Sequence, residues 1–279
     1  MFRLLCEKTA HMVVQWMKVG FVHGVMNTDN MSMLGLTIDY GPYGWIDNYD
    51  PSWTPNTTDS MHGRYAFGQQ PSIALWNLEK LANAIYPQIE EAKPLEDALQ
   101  YYVECFERSY RDIRLKKLGL LEQDDGDKEL LLSLNRALQS TEVDMTLFFR
   151  GLAQCKKETD ERADEHILMK PVRDSLYHSS TDELLLWMRR YQKRLQKESL
   201  PDAQRVAEMN RVNPKYVLRN YLAQQAIEKS EEGDHSLVHT LLNVMRKPYE
   251  EQPEYDEFAQ KRPEWARNKP GCSTLSCSS

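Results

Sequence analysis

Cysteine is scarce in this sequence, and clusters of basic residues interleaved with aromatics are missing. Five cysteines stand at positions 6, 105, 155, 272 and 277 of 279 residues. An odd number at such wide spacing does not suggest a disulfide framework. Cys6, Cys105 and Cys155 fall on helical apolar patterns and read as buried thiols. No run of 18 apolar residues occurs, so no membrane span is expected. Met1 to Gly20 lacks the uninterrupted apolar stretch and the small-residue cleavage site of a secretory signal. Glu7, His11 and Lys18 interrupt it at helical spacing, which makes it an amphipathic helix. The net charge of −7 argues against a nucleic-acid binder. Arg189-Arg190 with Lys193-Arg194 read as the solvated face of a helix. Asn56-Thr57-Thr58 matches a glycosylation sequon, but without a secretion signal it reads as chance.

Hydrophobic residues make up 41% of the chain and charged residues 28%, a balance that supports a folded core. Residues 2–19 repeat apolar side chains at spacings of three and four (Leu4, Leu5, Met12, Val13, Trp16, Met17), which predicts a helix ended by Gly20. A loop, His23 to Asn30, follows. Met31 to Asp39 (MSMLGLTID) is short and mostly apolar and predicts one strand or two tiny ones. Residues 41–71 are dense in Gly, Pro, Asn and Asp, and a loop that long is usually functional. Pro71 then opens a helix over Ser72 to Ile85. Further helices are predicted at about 94–118, 126–139, 143–156, 181–198, 201–210, 214–230 and 235–247. Residues 250–279, rich in proline and charge, predict an extended surface tail.

The richest polar cluster lies in the first forty residues. A protein-kinase catalytic loop reads H-R-D-L-x-x-x-N and is followed, after a short hairpin, by D-F-G. Here His23-Gly24-Val25-Met26-Asn27-Thr28-Asp29-Asn30 keeps His and Asn at that separation. Asp39-Tyr40-Gly41 stands where D-F-G should be. Asn30 and Asp39 supply hard oxygen ligands of the kind Mg²⁺ takes beside phosphates. Val25 occupies the position of the catalytic Asp and cannot accept a proton. Asp29 is the only carboxylate left in the loop, so any base function falls to it. The pattern therefore describes either an inactive pseudokinase or an enzyme using the kinase frame for different chemistry. Thr28, Asp29 and Asn30 are also common turn and capping residues. Arg64 reads as a salt-bridged structural arginine rather than a substrate contact, and Trp45, Trp53 and Trp76 as core.

The strings HGVMNTDNMSMLGLTIDYGPYGW, GRYAFGQQPSIALWNLEKLA and NPKYVLRNYLAQQAI closely resemble the selenoprotein O family, also called the SelO or YdiU family. The resemblance runs from Met1 to the terminal CSS. It implies a mainly α fold: a protein-kinase-like C-lobe with a C-terminal helical extension. On that basis residues 1–118 would form the C-lobe, 119–249 the helical region and 250–279 the tail. It implies a protein adenylyltransferase that moves AMP from ATP to Ser, Thr or Tyr hydroxyls of proteins, with ATP bound in an orientation flipped from a kinase's. Asp29 would be the base. Asn30 and Asp39 would hold Mg²⁺ (or Mn²⁺) and with it the ATP.

Members of the family carry an N-lobe before these motifs, with a glycine-rich loop, a Lys–Glu pair and phosphate-holding arginines. None of these is in this sequence. The expectation is therefore a fragment, a splice form or an incomplete gene model with little activity by itself. Animal members are mitochondrial, and the transit peptide would lie upstream. The resemblance also puts Cys277 where animal members often carry selenocysteine. Cys272, five residues earlier, would make with it a solvent-exposed redox pair. A kinase-like phosphotransferase and a non-catalytic binding module are the competing readings.

Overall fold

The computed structural model describes residues 1–272. The fold is mainly helical, and among the described residues the one sheet has two strands of two residues each. The chain divides into two compact units. The first takes residues 1–46 and 51–112 with the chain from 268; the second takes 47–50 and 113–267.

In the first unit, helix α1 (Phe2–Val19) is amphipathic and buries Leu5, Cys6, Val13, Trp16 and Met17. Gly20 ends it in the left-handed conformation, φ 76°, with its N–H on the Trp16 carbonyl. That stop is the one the glycine predicts. Strand β1 (Phe21–Val22) then pairs antiparallel with β2 (Gly44–Trp45), in the register Phe21–Trp45 and Val22–Gly44. The pairing closes residues 23–43 into one loop. Helix α2 (Gln70–Ile89) packs along α1, with Pro71 in its first turn. Helix α3 (Lys93–Lys117) follows and buries Leu95, Ala98, Tyr102 and Cys105.

In the second unit, α4 (Asp127–Gln139) packs on α7 (Asp182–Leu195), where the indole of Trp187 donates to the Leu130 carbonyl at 3.0 Å. Helix α5 (Met145–Leu152) is capped by Asp144, whose carboxylate accepts the Leu147 N–H at 2.9 Å. A short α6 (Glu165–Leu168) precedes α7, and α8 (Asp202–Val212), α9 (Asn220–Glu231) and α10 (Ser236–Met245) complete the unit. Arg219, fully buried, donates to Asp47 and Asp144 at 2.7 Å each.

Several expectations need correction. Met31–Asp39 is not a strand. It has no ladder partner, and its backbone turns on itself where the Gly35 N–H bonds the Ser32 carbonyl. It lies instead along α1, where the Trp16 indole donates to the Thr37 hydroxyl at 2.9 Å. The helix expected from 214 starts at Asn220. Residues 215 and 216 give their N–H groups to the Pro248 carbonyl, and Arg219 turns inward to its carboxylates. The tail is not simply extended. It makes two short 3₁₀ segments, Pro253–Ala259 and Glu264–Ala266, and buries Phe258, Ala259 and Ala266. Trp76 is partly exposed rather than core. Among the described residues, no helix is long and apolar enough to cross a membrane.

Candidate active site

The site is built on the loop that β1 and β2 close. His23 is its fixed point. The ring is buried and makes two bonds: Nδ1 accepts the Val25 N–H at 3.4 Å, and Nε2 donates to the Ile38 carbonyl at 2.8 Å. One imidazole thus ties the start of the loop to the residue before Asp39. Burial pulls the His23 pKa below its usual value, opposed by the Ile38 bond and by the Asp39 charge. The ring is therefore neutral near pH 7, as its two bonding roles require.

Asp29 and Asn30 sit in a single 3₁₀ turn, Thr28–Asn30. The Asn30 amide nitrogen donates to the Val25 carbonyl at 2.9 Å, which fixes the amide and leaves its Oδ1 without a donor among the described residues. Asp29 is exposed, and its carboxylate accepts no hydrogen bond among the described residues. Asp39 is also exposed. Its φ of 55° places it in the left-handed region, where aspartate is one of the few side-chain-bearing residues tolerated. The backbone after it makes two tight turns: Gly41 N–H bonds the Asp39 carbonyl and Tyr43 N–H the Gly41 carbonyl, both at 2.8 Å. The rings of Phe21, Tyr40, Tyr43 and Trp45 pack edge to face and tilted around this turn, holding it on the two-stranded ladder.

No group of three or more His, Cys, Asp or Glu side chains gathers among the described residues. The donor set on this loop is one amide oxygen and one carboxylate. That set fits Mg²⁺, which is held by one or two protein oxygens and completes its shell with water and phosphate oxygens. The free Oδ1 of Asn30 and the unpaired carboxylate of Asp39 are the observations behind this fit.

Polar side chains that give no periodic signal hold the loop from below. Gln70, fully buried, accepts the His23 N–H at 3.0 Å and donates to the Phe21 carbonyl at 3.0 Å. Asn56 donates to the Gly24 carbonyl at 3.1 Å and is buried. Its sequon is therefore inaccessible, in line with the chance reading. Asn77 donates to the Met26 carbonyl at 3.0 Å. The Tyr65 hydroxyl donates to the Asn27 side chain, and Asp59 fixes Tyr65 by accepting its N–H at 2.7 Å. Nothing in the sequence separates these residues from ordinary loop and helix polar residues; only the tertiary fold does.

Arg64 makes no salt bridge among the described residues, contrary to expectation. Its guanidinium lies over the Trp76 ring at 4.5 Å and near the Tyr65 ring at 5.7 Å. Cys272 is 2% exposed, so it is not the solvent-exposed thiol expected of a redox tail. Cys277 lies outside the described residues, and its pairing with it.

The family model of the protein adenylyltransferase SelO matches residues 1–246. The chain belongs to the SelO family. Relatives named protein nucleotidyltransferase YdiU bear this out. Those from Aromatoleum aromaticum and Rhodopirellula baltica are 53% identical over 100% of this chain, covering 53% and 54% of their own lengths. The relative from Flavobacterium johnsoniae is 50% identical, again over 100% of this chain and 54% of its own length. The chain thus spans about half the length of the curated relatives it matches. The SelO match includes the whole 23–43 loop with Asp29, Asn30 and Asp39.

Proposed function

We propose that this chain carries the acceptor-facing and metal-facing part of a protein adenylyltransferase site on a kinase-like C-lobe. The observation that carries the reading is the His23 bridge. It ties the start of the loop to Ile38, beside the left-handed Asp39, and the side-chain oxygens of Asp29, Asn30 and Asp39 accept no hydrogen bond among the described residues. Family membership supports AMP as the group transferred.

The chemistry follows from what each residue can do. A protein hydroxyl of Ser, Thr or Tyr attacks the α-phosphorus of ATP, forming the new P–O bond as pyrophosphate leaves. Asp29 takes or orients the hydroxyl proton, a role Val25 cannot fill. Asn30 and Asp39 would hold Mg²⁺, whose charge offsets that on the phosphate oxygens. His23 holds the loop geometry and moves no proton, because both its nitrogens are engaged. Most of the rate gain would come from positioning and preorganised charge.

Label tracing tests this. The purified chain is incubated with Mg²⁺, acceptor proteins and ATP labelled at the α- or the γ-phosphate, beside a full-length relative. The expected result is α-label in protein, slower than with the relative, and lost to background in Asp29→Ala and Asp39→Ala. Transfer of γ-label instead would favour a phosphotransferase. No α-label above the Asp39→Ala background would leave only the non-catalytic binding module.

A further inference from the structure

We propose that Arg64 and Lys80 form a site for an acidic side chain of the acceptor protein, a few residues from the hydroxyl that is modified. This rests on the reading that Asp29 faces the acceptor.

Both cations stand on one half-exposed indole. The Arg64 guanidinium carbon is 4.5 Å from the centre of the Trp76 ring, and the Lys80 nitrogen is 4.9 Å from it. The two charges are therefore no farther apart than the sum of those distances. Neither has a strong carboxylate partner. The exposed Arg64 side chain makes no hydrogen bond and no salt bridge among the described residues, so contact with the ring leaves its N–H fork open. Asp59, buried in the same turn, is already engaged by backbone: its two oxygens accept the N–H groups of Arg64 and Tyr65 at 2.9 and 2.7 Å. Lys80 has Glu79 at 3.8 Å, but both side chains are open to water, which screens the pair.

The cations flank the turn that carries Asp29. On one side, the hydroxyl of Tyr65, the residue after Arg64, donates to the side chain of Asn27, two residues before Asp29. On the other, Lys80 lines the same groove as Thr28, the residue before Asp29. That groove holds only about 300 Å³. An extended acceptor segment advances about 3.3 Å per residue, so a residue held by the two cations falls within about four positions of a hydroxyl at Asp29.

Charge complementarity says what binds. A guanidinium offers parallel N–H groups to both oxygens of a carboxylate, and an ammonium adds a point charge. Asp59 fixes the Arg64 backbone and the indole supports its side chain, so little freedom is lost on binding. An amide in place of the carboxylate keeps the shape and loses the attraction. A lysine is repelled.

The test is binding, without nucleotide, so that it stands apart from the transfer reaction. Fluorescent ten-residue peptides with a central Ser carry Asp, Asn or Lys at one of the four positions on either side. Fluorescence anisotropy with the 279-residue chain should show the best Asp peptide binding at least ten-fold tighter than its Asn and Lys counterparts. Arg64→Met with Lys80→Met keeps apolar stems on the indole and should abolish that preference. Arg64→Glu with Lys80→Glu should turn it toward the Lys peptide. Equal binding of all peptides, binding of none, or a preference untouched by both double variants would overturn the proposal. So would variants that weaken MgATP binding by calorimetry and keep the peptide preference, because the cations would then serve the nucleotide phosphates. An Asp preference without α-label transfer would sink the transfer reading and leave the acidic site standing; α-label transfer without that preference would do the reverse.

Discussion

The side-chain amide of Asn30 donates to the backbone carbonyl of Val25 at 2.9 Å. The backbone of Val25 thereby fixes the orientation of the Asn30 amide. Val25 contributes through its backbone carbonyl, which any residue at that position could supply. Asn30 acts through its side chain: its nitrogen holds the loop, and its oxygen accepts no hydrogen bond among the described residues.

Asn30→Asp and Asp39→Asn separate these tasks. Asn30→Asp removes the donor to Val25 and places a carboxylate against a carbonyl, which should cost about 1–3 kcal/mol in urea denaturation. Asp39→Asn breaks no protein hydrogen bond and should leave stability within about 0.5 kcal/mol. It should still weaken Mg²⁺-dependent ATP binding at least ten-fold by calorimetry. Unchanged nucleotide binding in Asp39→Asn would exclude Asp39 as a ligand.

Gly24 cannot bear a side chain. Its φ is 80°, and a Cβ there would stand 2.4 Å from the Pro42 carbonyl oxygen, a backbone atom with little room to retreat. Gly24→Ala should destabilise by more than about 1–2 kcal/mol from conformation alone. It should also weaken MgATP binding, because the loop between His23 and Asn30 must shift. Thermal unfolding with and without MgATP checks both.

The Arg219 ion pairs are buried and costly to break. Arg219→Ala leaves Asp47 and Asp144 buried without their cation, and the loss should be about 3–5 kcal/mol. Arg267→Ala, whose side chain is part-exposed against Glu142, should cost about 1 kcal/mol or less. Chemical denaturation of the two variants should reproduce that order.

Burial pushes the Cys6 thiol up to about 11 and the Cys155 thiol up to about 12. At pH 8 their thiolate fractions are on the order of 10⁻³ and 10⁻⁴. Both should resist a disulfide reagent in the native protein and react within minutes in urea. The sign for stability follows. The unfolded thiols ionise near 9, while the folded ones remain protonated to about 11 and 12. Their contribution is present below pH 9 and lost as pH rises through that window. A urea midpoint that rises between pH 9 and 11 would contradict this.

Helical spacing alone determined α1, α2, α4 and α7 to within a few residues, because each buries one apolar face and such a face recurs at 3.6 residues whatever it packs on. His23, Asn30 and Asp39 stand out in the sequence because their spacing resembles that of a kinase catalytic loop and its D-F-G. Tertiary structure decided the rest. Met31–Asp39 is apolar enough for a strand, but a strand needs a partner, and this segment lies on α1 instead. Residues 214–219 carry helix-compatible side chains, yet Lys215 and Tyr216 bond the Pro248 carbonyl and Arg219 seats between two carboxylates instead. Gln70, Asn56 and Asn77 hold the His23–Asn30 loop by bonds to its backbone across 32 to 51 residues of sequence. No local pattern encodes which carbonyl a distant amide will meet; only the packing of α1 against α2 brings them together.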